Sequence, residues 1–189
     1  NRCRRQRQMC IRDRLRSAPE RLQQLAKAPS VNDTLRAVIP PGSALLNQET
    51  VDRALAEDGR FAIINVWRNI AAEPVANHPL ALCDGKVVEP QDLVVFEIHM
   101  PDRIGENYWS KYHDRHRFYS YPAMNRDEAL LIKQWDSAGE LARSAGRNSD
   151  RNAEGPCTFS FHSAFIDPTT PEDVPDRWSI EVRCIAIYD

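Results

Sequence analysis

Three side chains near the end of the chain carry groups that bind metals and carboxylates: His162, Arg177 and Arg183. His162 lies among the aromatic and small residues of segment 159–165, a pattern typical of a short strand that carries a half-buried imidazole. An imidazole nitrogen can ligate a metal, and a guanidinium can bind a carboxylate through two parallel hydrogen bonds. The same residue types also suit a hydrogen-bonded core histidine and a solvated strand face, so both interpretations stand at this point.

The segment that carries the two arginines alternates with the two-residue period of a β-strand. One face of the predicted strand carries Arg177, Ser179, Glu181 and Arg183. The opposite face carries Trp178, Ile180, Val182 and Cys184. We expect Ile180, Val182 and Cys184 to pack into an apolar layer, while the two arginines share the polar face.

The elements that must position these residues are mostly short strands. Apolar and aromatic runs predict strands over 61–68, 80–84, 93–100, 107–124 (a hairpin or two strands) and 127–137. Two helices are predicted, over 17–28 and 50–57, and the stretch 138–156 is predicted as a long exposed loop. Seven or eight short strands without a βαβ rhythm favour an antiparallel sandwich or barrel.

Length and composition limit the possible functions. The chain has 189 residues, a net charge of −2 and a pI near 6.2, which gives no indication of nucleic-acid binding. No apolar stretch approaches the roughly 18 residues of a membrane span, and the five cysteines include no Cys-x-x-Cys pair. We expect no membrane partner and a reduced, cytoplasmic location.

The first sixteen residues differ in composition from the rest of the chain. They are strongly basic and almost without apolar pattern, so we predict a disordered tail or an artefactual translation over 1–16. Residues 17–189 are predicted to form one domain that is truncated at its N-terminal side, so that the chain is the C-terminal part of a longer protein.

Eight short strings occur in an order and spacing that resemble a known family. They are Asn65-Val-Trp-Arg68, Pro79-Leu-Ala-Leu-Cys-Asp84, Gly105-Glu-Asn-Tyr108, His116-Arg-Phe-Tyr-Ser-Tyr121, Asp127-Glu-Ala-Leu-Leu-Ile-Lys133, Trp135-Asp-Ser137, His162-Ser-Ala-Phe-Ile-Asp-Pro168 and Arg177-Trp-Ser-Ile-Glu-Val-Arg183. The family is a hydroxylase/desaturase family of fungi and bacteria that includes the gibberellin desaturase and a cephamycin-pathway oxygenase component. The resemblance extends over about residues 60–189.

The resemblance implies a mainly β protein with a double-stranded β-helix (jelly-roll) core and a few short helices. It implies a non-haem Fe(II)/2-oxoglutarate-dependent hydroxylase or desaturase that acts on a small-molecule secondary metabolite. Such sites hold iron with two histidines and one carboxylate. By this resemblance His162 is the distal histidine, and Asp33 is the carboxylate of an upstream His-x-Asp pair whose histidine position holds Val31. Three alternatives stay open: this copy has lost the histidine, the correspondence at 30–34 is misaligned, or the pair lay upstream of Ser17. Substrate identity and oligomeric state stay open.

The resemblance also places an arginine after the distal histidine, where it binds the far carboxylate of 2-oxoglutarate. Arg177 is the first choice because it lies nearer to His162, and Arg183 is the second. His162 and Asp33 are therefore the predicted catalytic and metal-binding residues, and the two arginines are the predicted cosubstrate-binding residues.

Several local alternatives remain. His113, Asp114 and His116 could supply ligands, with Asp136 as a further carboxylate, although a His-x-x-His string on a strand would place its imidazoles on opposite faces. Lys133 and Asp136 could instead form a buried ion pair that supports the site. Four aromatic residues are candidates either for the core or for the lining of a substrate pocket: Tyr108, Trp109, Phe118 and Tyr121. The alternative function is a non-catalytic jelly-roll fragment or small-molecule-binding module.

Overall fold

The computed structural model describes residues 11–12, 18–27, 40, 42–99, 104–139 and 159–188. Its helices are α1 (Ala18–Leu25) and α2 (Gln48–Leu55). Its strands are β1 (Ile11–Arg12), β2 (Arg60–Asn69), β3 (Leu80–Cys83), β4 (Leu93–His99), β5 (Ile104–Ser110), β6 (Phe118–Ser120), β7 (Ala129–Asp136), β8 (His162–Ala164) and β9 (Ser179–Tyr188). In the part of the chain described, no helix is long and apolar enough to cross a membrane.

Helix α2 is followed by a turn that leads directly into β2. Asn47 caps the helix, because its side-chain oxygen accepts a hydrogen bond from the Thr50 amide at 2.7 Å. The turn then brings Gly59 against the end of the helix, where a Cβ atom would lie only 2.2 Å from the Arg53 carbonyl oxygen. Glycine is therefore required at this close approach of two backbone segments.

The strands form three antiparallel sheets of three strands each in the described residues, with orders β7-β2-β9, β6-β3-β8 and β1-β5-β4. We name the first two the β2 sheet and the β3 sheet. In the β2 sheet, β9 pairs with β2 along its whole length, from Arg60 opposite Tyr188 to Asn69 opposite Ser179. In the β3 sheet, β8 pairs with β3 so that His162 lies opposite Leu82.

One face of β2 points into the protein, and we call it the inner face. Its residues are 4% exposed or less: Phe61, Ile63, Asn65, Trp67 and Asn69. At one end Phe61 and Ile63 join a core cluster with both helices and with Trp135, Phe159 and Phe161. At the other end Trp67 packs with Leu80, Leu130 and Ile132, and Leu82 packs against the same cluster. The β3 sheet therefore covers the inner face of the β2 sheet.

The predicted secondary structure is largely confirmed. Both helices and the strands over 61–68, 80–84 and 93–100 lie within a few residues of their predicted bounds. The segment 127–137 is a strand, since β7 runs from Ala129 to Asp136, and the aromatic segment after residue 107 supplies two strands, β5 and β6. Residues 11 and 12, inside the predicted basic tail, pair with β5.

The expected apolar layer of β9 is wrong. Ile180 is 47% exposed, Val182 is 52% exposed and Cys184 is exposed. The polar set is the one that faces inward, because Arg183 lies opposite Asn65 and Glu181 lies opposite Trp67, and directly opposed residues project to the same side of a sheet. The alternation correctly assigned the residues to two faces, but it did not say which face is the inner one.

The predicted ion pair between Lys133 and Asp136 is confirmed at 2.9 Å. Arg60 reaches the same carboxylate with Nε at 3.2 Å and Nη2 at 2.9 Å. Burial alone would raise the pKa of Asp136, but hydrogen bonds from Arg60, Lys133 and the Ala138 amide outweigh it and lower the pKa to about 2. This carboxylate therefore joins the start of β2 to the end of β7.

Candidate active site

A backbone hydrogen bond sets the tautomer of His162. The imidazole projects from β8 toward the β2 sheet. Its Nδ1 lies 3.2 Å from the Ser160 carbonyl oxygen. A carbonyl can only accept, so Nδ1 carries the proton and Nε2 of the neutral ring keeps its lone pair. Because His162 is opposite Leu82, and Leu82 packs against the cluster around Trp67, the imidazole shares the inward direction of Leu82.

Arg183 is held on the inner face of the β2 sheet by a buried amide. Its Nε donates to Asn65 Oδ1 at 3.1 Å, and Asn65 is only 2% exposed. The Nδ2 group of the same amide donates to the Glu181 carboxylate. A neutral amide in the middle of β2 therefore connects a cation and an anion of β9.

Arg177 contacts Trp67, the next inner-face residue of β2 after Asn65. Its guanidinium carbon lies 5.7 Å from the centre of the Trp67 ring, a cation–π arrangement, and Nη1 donates to the His78 carbonyl. Burial lowers the pKa of Arg177. His78 itself has a φ of 49°, the left-handed region that side chains other than glycine rarely adopt. The two arginines thus contact two inner-face residues of the same strand, Asn65 and Trp67.

Three of the predicted residues are found where the β3 sheet covers the inner face of the β2 sheet. His162 extends from the β3 sheet, and Arg177 and Arg183 contact the inner face of the β2 sheet that packs against it. The fourth, Asp33, lies outside the described residues, as does Val31. Within the described ranges no group of three or more His, Cys, Asp or Glu side chains could hold a metal ion.

His162 fits the chemistry of an iron ligand, because its protonated Nδ1 is bonded to a backbone carbonyl and its other nitrogen can coordinate. It supplies one donor of the three in a two-histidine, one-carboxylate site. With Asp33, this chain would offer one imidazole and one carboxylate to the iron.

The local alternatives have other roles in the structure. Residues 113–116 form a turn, so the premise that they lie on a strand is wrong, and their two imidazoles are 6.2 Å apart between ring centres. His113 is exposed, and its Nδ1 accepts from the Arg115 amide. His116 is buried, and its Nε2 lies 2.9 Å from the Asp92 carboxylate.

Asp92 joins the turn 113–116 to the segment before β4. It is 4% exposed and accepts hydrogen bonds from the Glu89 amide, His116 and Arg115. Burial alone would raise the pKa of Asp92, but these hydrogen bonds outweigh it and lower the pKa. Together they attach the turn 113–116 to the start of β4, which is a structural role. Asp136, the other alternative, is fully occupied by Arg60 and Lys133.

The aromatic candidates divide between core and surface. Tyr108 is 3% exposed and packs on Phe159 with ring centres 5.7 Å apart, and Phe118 packs against the same core cluster. Tyr121 is 58% exposed, and Trp109 is partly buried.

Sequence reasoning gave no role to Asn65, although a signal was present. An amide inside the apolar run Phe61-Ala-Ile-Ile-Asn-Val-Trp67 interrupts a strand that is otherwise suited to the core. A buried polar group of this kind requires hydrogen-bond partners, and here they are the charged side chains of β9.

The arrangement of strands defines the class of protein. The chain has a mainly β jelly-roll fold, and it is similar to the solved structure of the "iron and alpha-ketoglutarate-dependent endoperoxidase NvfI". The TM-score is 0.66 at 24% identity, and the match covers 95% of this chain and 53% of that one. Residues 42–187 match the family model described as "Oxidoreductase/YMDC permease-like domain", and the chain belongs to that family.

The names of curated relatives point to the same class of protein. The chain is 30% identical over 151 residues to "Hydroxylase/desaturase poxK" of Penicillium oxalicum (strain 114-2 / CGMCC 5302), a match that covers 69% of this chain and 43% of the relative. It is 30% identical over 171 residues to "Aspirochlorine biosynthesis protein N" of Aspergillus oryzae, which covers 87% of this chain and 65% of the relative. The chain thus spans about half the length of these relatives. The resemblance to hydroxylases and desaturases is confirmed.

Proposed function

We propose that the protein is an Fe(II)/2-oxoglutarate-dependent hydroxylase or desaturase that acts on a small-molecule secondary metabolite. The observation that carries the proposal is that His162 lies on β8 of the β3 sheet, while Arg177 and Arg183 contact the inner face of β2, which the β3 sheet covers. The names of the relatives, hydroxylase/desaturase and Fe(II)/2-oxoglutarate-dependent dioxygenase, support the same chemistry. They favour an enzyme over the alternative of a non-catalytic binding module.

Each residue has a distinct role in this proposal. His162 and Asp33 hold the iron, with His162 coordinating through Nε2. Arg177 or Arg183 binds the carboxylate of 2-oxoglutarate that is remote from the metal, because a guanidinium fork matches a carboxylate. When bound, iron would use the oxidative decarboxylation of 2-oxoglutarate to succinate to activate dioxygen for attack on a C–H bond.

The proposal also covers domain and location. We assign residues 17–189 to a single jelly-roll domain and place the protein in the cytoplasm, where Cys83 and Cys184, free thiols in this structure, stay reduced.

Anaerobic titration of the full chain with Fe(II) and then 2-oxoglutarate tests the proposal, with the charge-transfer absorption of the chelated cosubstrate as the readout. We expect His162→Ala to remove Fe(II) binding, and Arg177→Met or Arg183→Met to weaken 2-oxoglutarate binding while Fe(II) binding persists. His113→Ala is the matched control, because that imidazole is exposed and its Nδ1 bonds within its own turn. Equal Fe(II) affinity for His162→Ala and His113→Ala would refute the assignment.

The upstream pair has its own test. If Val31 occupies the position of the missing histidine, Val31→His supplies a second imidazole beside Asp33 and strengthens Fe(II) binding. Changes around metal ligands alone alter affinity by about 10–100-fold, so a gained ligand should give at least about tenfold. Asp33→Asn in the same background should cancel the gain. An unchanged Fe(II) affinity for Val31→His would show that the residue correspondence at 30–34 is wrong.

A further inference from the structure

Asn65 is an unusual residue for its position. It lies on the inner face of β2 between Ile63 and Trp67, both 4% exposed, and Ile132 of β7 lies directly opposite. An apolar side chain would suit these neighbours, because a buried amide is costly unless its donor and acceptor are both satisfied. The packing of the core alone therefore does not account for asparagine here.

The hydrogen bonds of Asn65 differ from those of the other buried asparagine on the same face. Asn69 donates to the backbone carbonyls of Glu73 and Met124 and accepts from the Ala71 amide, so it supports a turn. Asn65 bonds instead to two charged side chains of one neighbouring strand, Arg183 and Glu181. Its contacts are with the residues that project toward the proposed site.

The two opposite charges fix the orientation of the amide. Oδ1 faces the Arg183 N–H donor, and Nδ2 faces the Glu181 carboxylate. A flipped amide would set a donor against the guanidinium and an acceptor against the carboxylate, which loses both bonds. Since the amide cannot turn, the contact at Nε restricts the orientation of the Arg183 guanidinium, and a carboxylate is recognised in the plane of that group.

We propose that Asn65 is the positioning residue that orients Arg183 to bind the carboxylate of a 2-oxoacid, with Glu181 as the counter-charge that locks the amide. This inference rests on the proposed function, because 2-oxoglutarate is the ligand that Arg183 would bind. Arg183 is then the residue that binds the carboxylate. The guanidinium of Arg177 lies over Trp67, the next inner-face residue of β2 after Asn65.

The matched pair Asn65→Leu and Asn69→Leu tests the proposal in the full chain. Both substitutions remove a buried amide from the same face of the same strand, but only the first removes the hydrogen bond to Arg183. The first readout is the rate at which phenylglyoxal modifies Arg183 in metal-free protein, measured by peptide mass spectrometry. The second readout is 2-oxoglutarate binding by the Fe(II)-loaded chain. Urea unfolding of both variants reports their stability.

We expect Asn65→Leu to raise the Arg183 modification rate and to weaken 2-oxoglutarate binding, each by about tenfold, as the loss of a hydrogen bond to a charged group implies. Fe(II) affinity should not change. Asn69→Leu should leave both readouts within about twofold at a similar loss of stability. If Asn65→Leu does not fold, Glu181→Ala replaces it, since Glu181 is exposed and its removal takes away the counter-charge that holds the Nδ2 end of the amide.

The outcomes separate this inference from the proposed function. An Arg183 modification rate that is unchanged in Asn65→Leu, or in Glu181→Ala where that variant replaces it, overturns the positioning role, whether or not 2-oxoglutarate binds. If the rate rises but the wild-type chain binds no 2-oxoglutarate, the assignment of Arg183 to the cosubstrate is overturned together with the proposed function. Equal effects of Asn65→Leu and Asn69→Leu would reduce Asn65 to a structural residue.

Discussion

The Asp136→Asn substitution removes the charge of a carboxylate that solvent does not reach. The Asp136 side chain is 0% exposed, while Arg60 and Lys133, which bind it, remain 41% and 30% exposed. Asparagine keeps the shape of the side chain, but its amide can replace only one of the two acceptor oxygens. The variant therefore tests how much this ion pair contributes to the joint between β2 and β7.

The magnitude follows from the pKa of Asp136, which falls from an ordinary value of 3.8 to about 2 in the folded protein. Each unit of difference between the folded and unfolded states corresponds to about 1.4 kcal/mol, which gives about 2 kcal/mol of stability. Because the folded pKa is depressed, this contribution is complete above the unfolded value and is lost as the pH falls from about 5 to about 2.

Urea unfolding of the wild type and the variant measures the effect. Near pH 7 we expect Asp136→Asn to lower the free energy of unfolding by about 2 kcal/mol. Near pH 3 the difference should shrink to about half, because the wild-type carboxyl is then partly protonated in the unfolded state. Asp127→Asn makes the same chemical change at an exposed site before the same strand, and should stay within about 0.5 kcal/mol. A difference that does not depend on pH would refute the electrostatic reasoning.

Three further predictions concern other parts of the molecule. Gly59→Ala should lower the free energy of unfolding by about 1–3 kcal/mol, because the added Cβ meets the Arg53 carbonyl; an unchanged unfolding midpoint would contradict it. Asp92→Asn should cost about 1–3 kcal/mol by weakening the bonds to His116 and to its other donors, measured by urea unfolding, and a neutral effect would show that the turn 113–116 is held otherwise. His162→Ala should keep a native circular dichroism spectrum with a loss below about 2 kcal/mol, since the ring is only half-buried; unfolding of the variant would make His162 a core residue instead.

Much of the fold was predictable from local pattern. The apolar run before Trp67 and the alternation after Arg177 correspond to β2 and β9, and the turn between α2 and β2 is marked by Gly59. Near the predicted site, Arg183 lies on β9 opposite Asn65, whereas Arg177 precedes β9 and its guanidinium lies over Trp67. The correctly predicted elements share one cause: backbone period and turn chemistry depend on residues that are close in the chain.

The partners of the buried polar groups were not predictable. Asp92 meets His116, and Asn65 meets Glu181 and Arg183, across long separations in sequence. Nothing in the spacing of these residues specifies such contacts, because they depend on how the strands and turns are arranged in space. The string His113 to His116 also looks compatible with a strand, yet it forms a turn attached to Asp92 by His116 and Arg115.

The sequence by itself determined that β9 has one polar and one apolar face, because side chains of a strand alternate. Only the tertiary structure decided which face points inward. Its apolar residues Ile180 and Val182 are exposed, while Glu181 and Arg183 turn toward the inner face of β2. The physical reason is that register with a neighbouring strand sets the direction of each side chain, and this register places Glu181 and Arg183 where they satisfy the buried amide of Asn65.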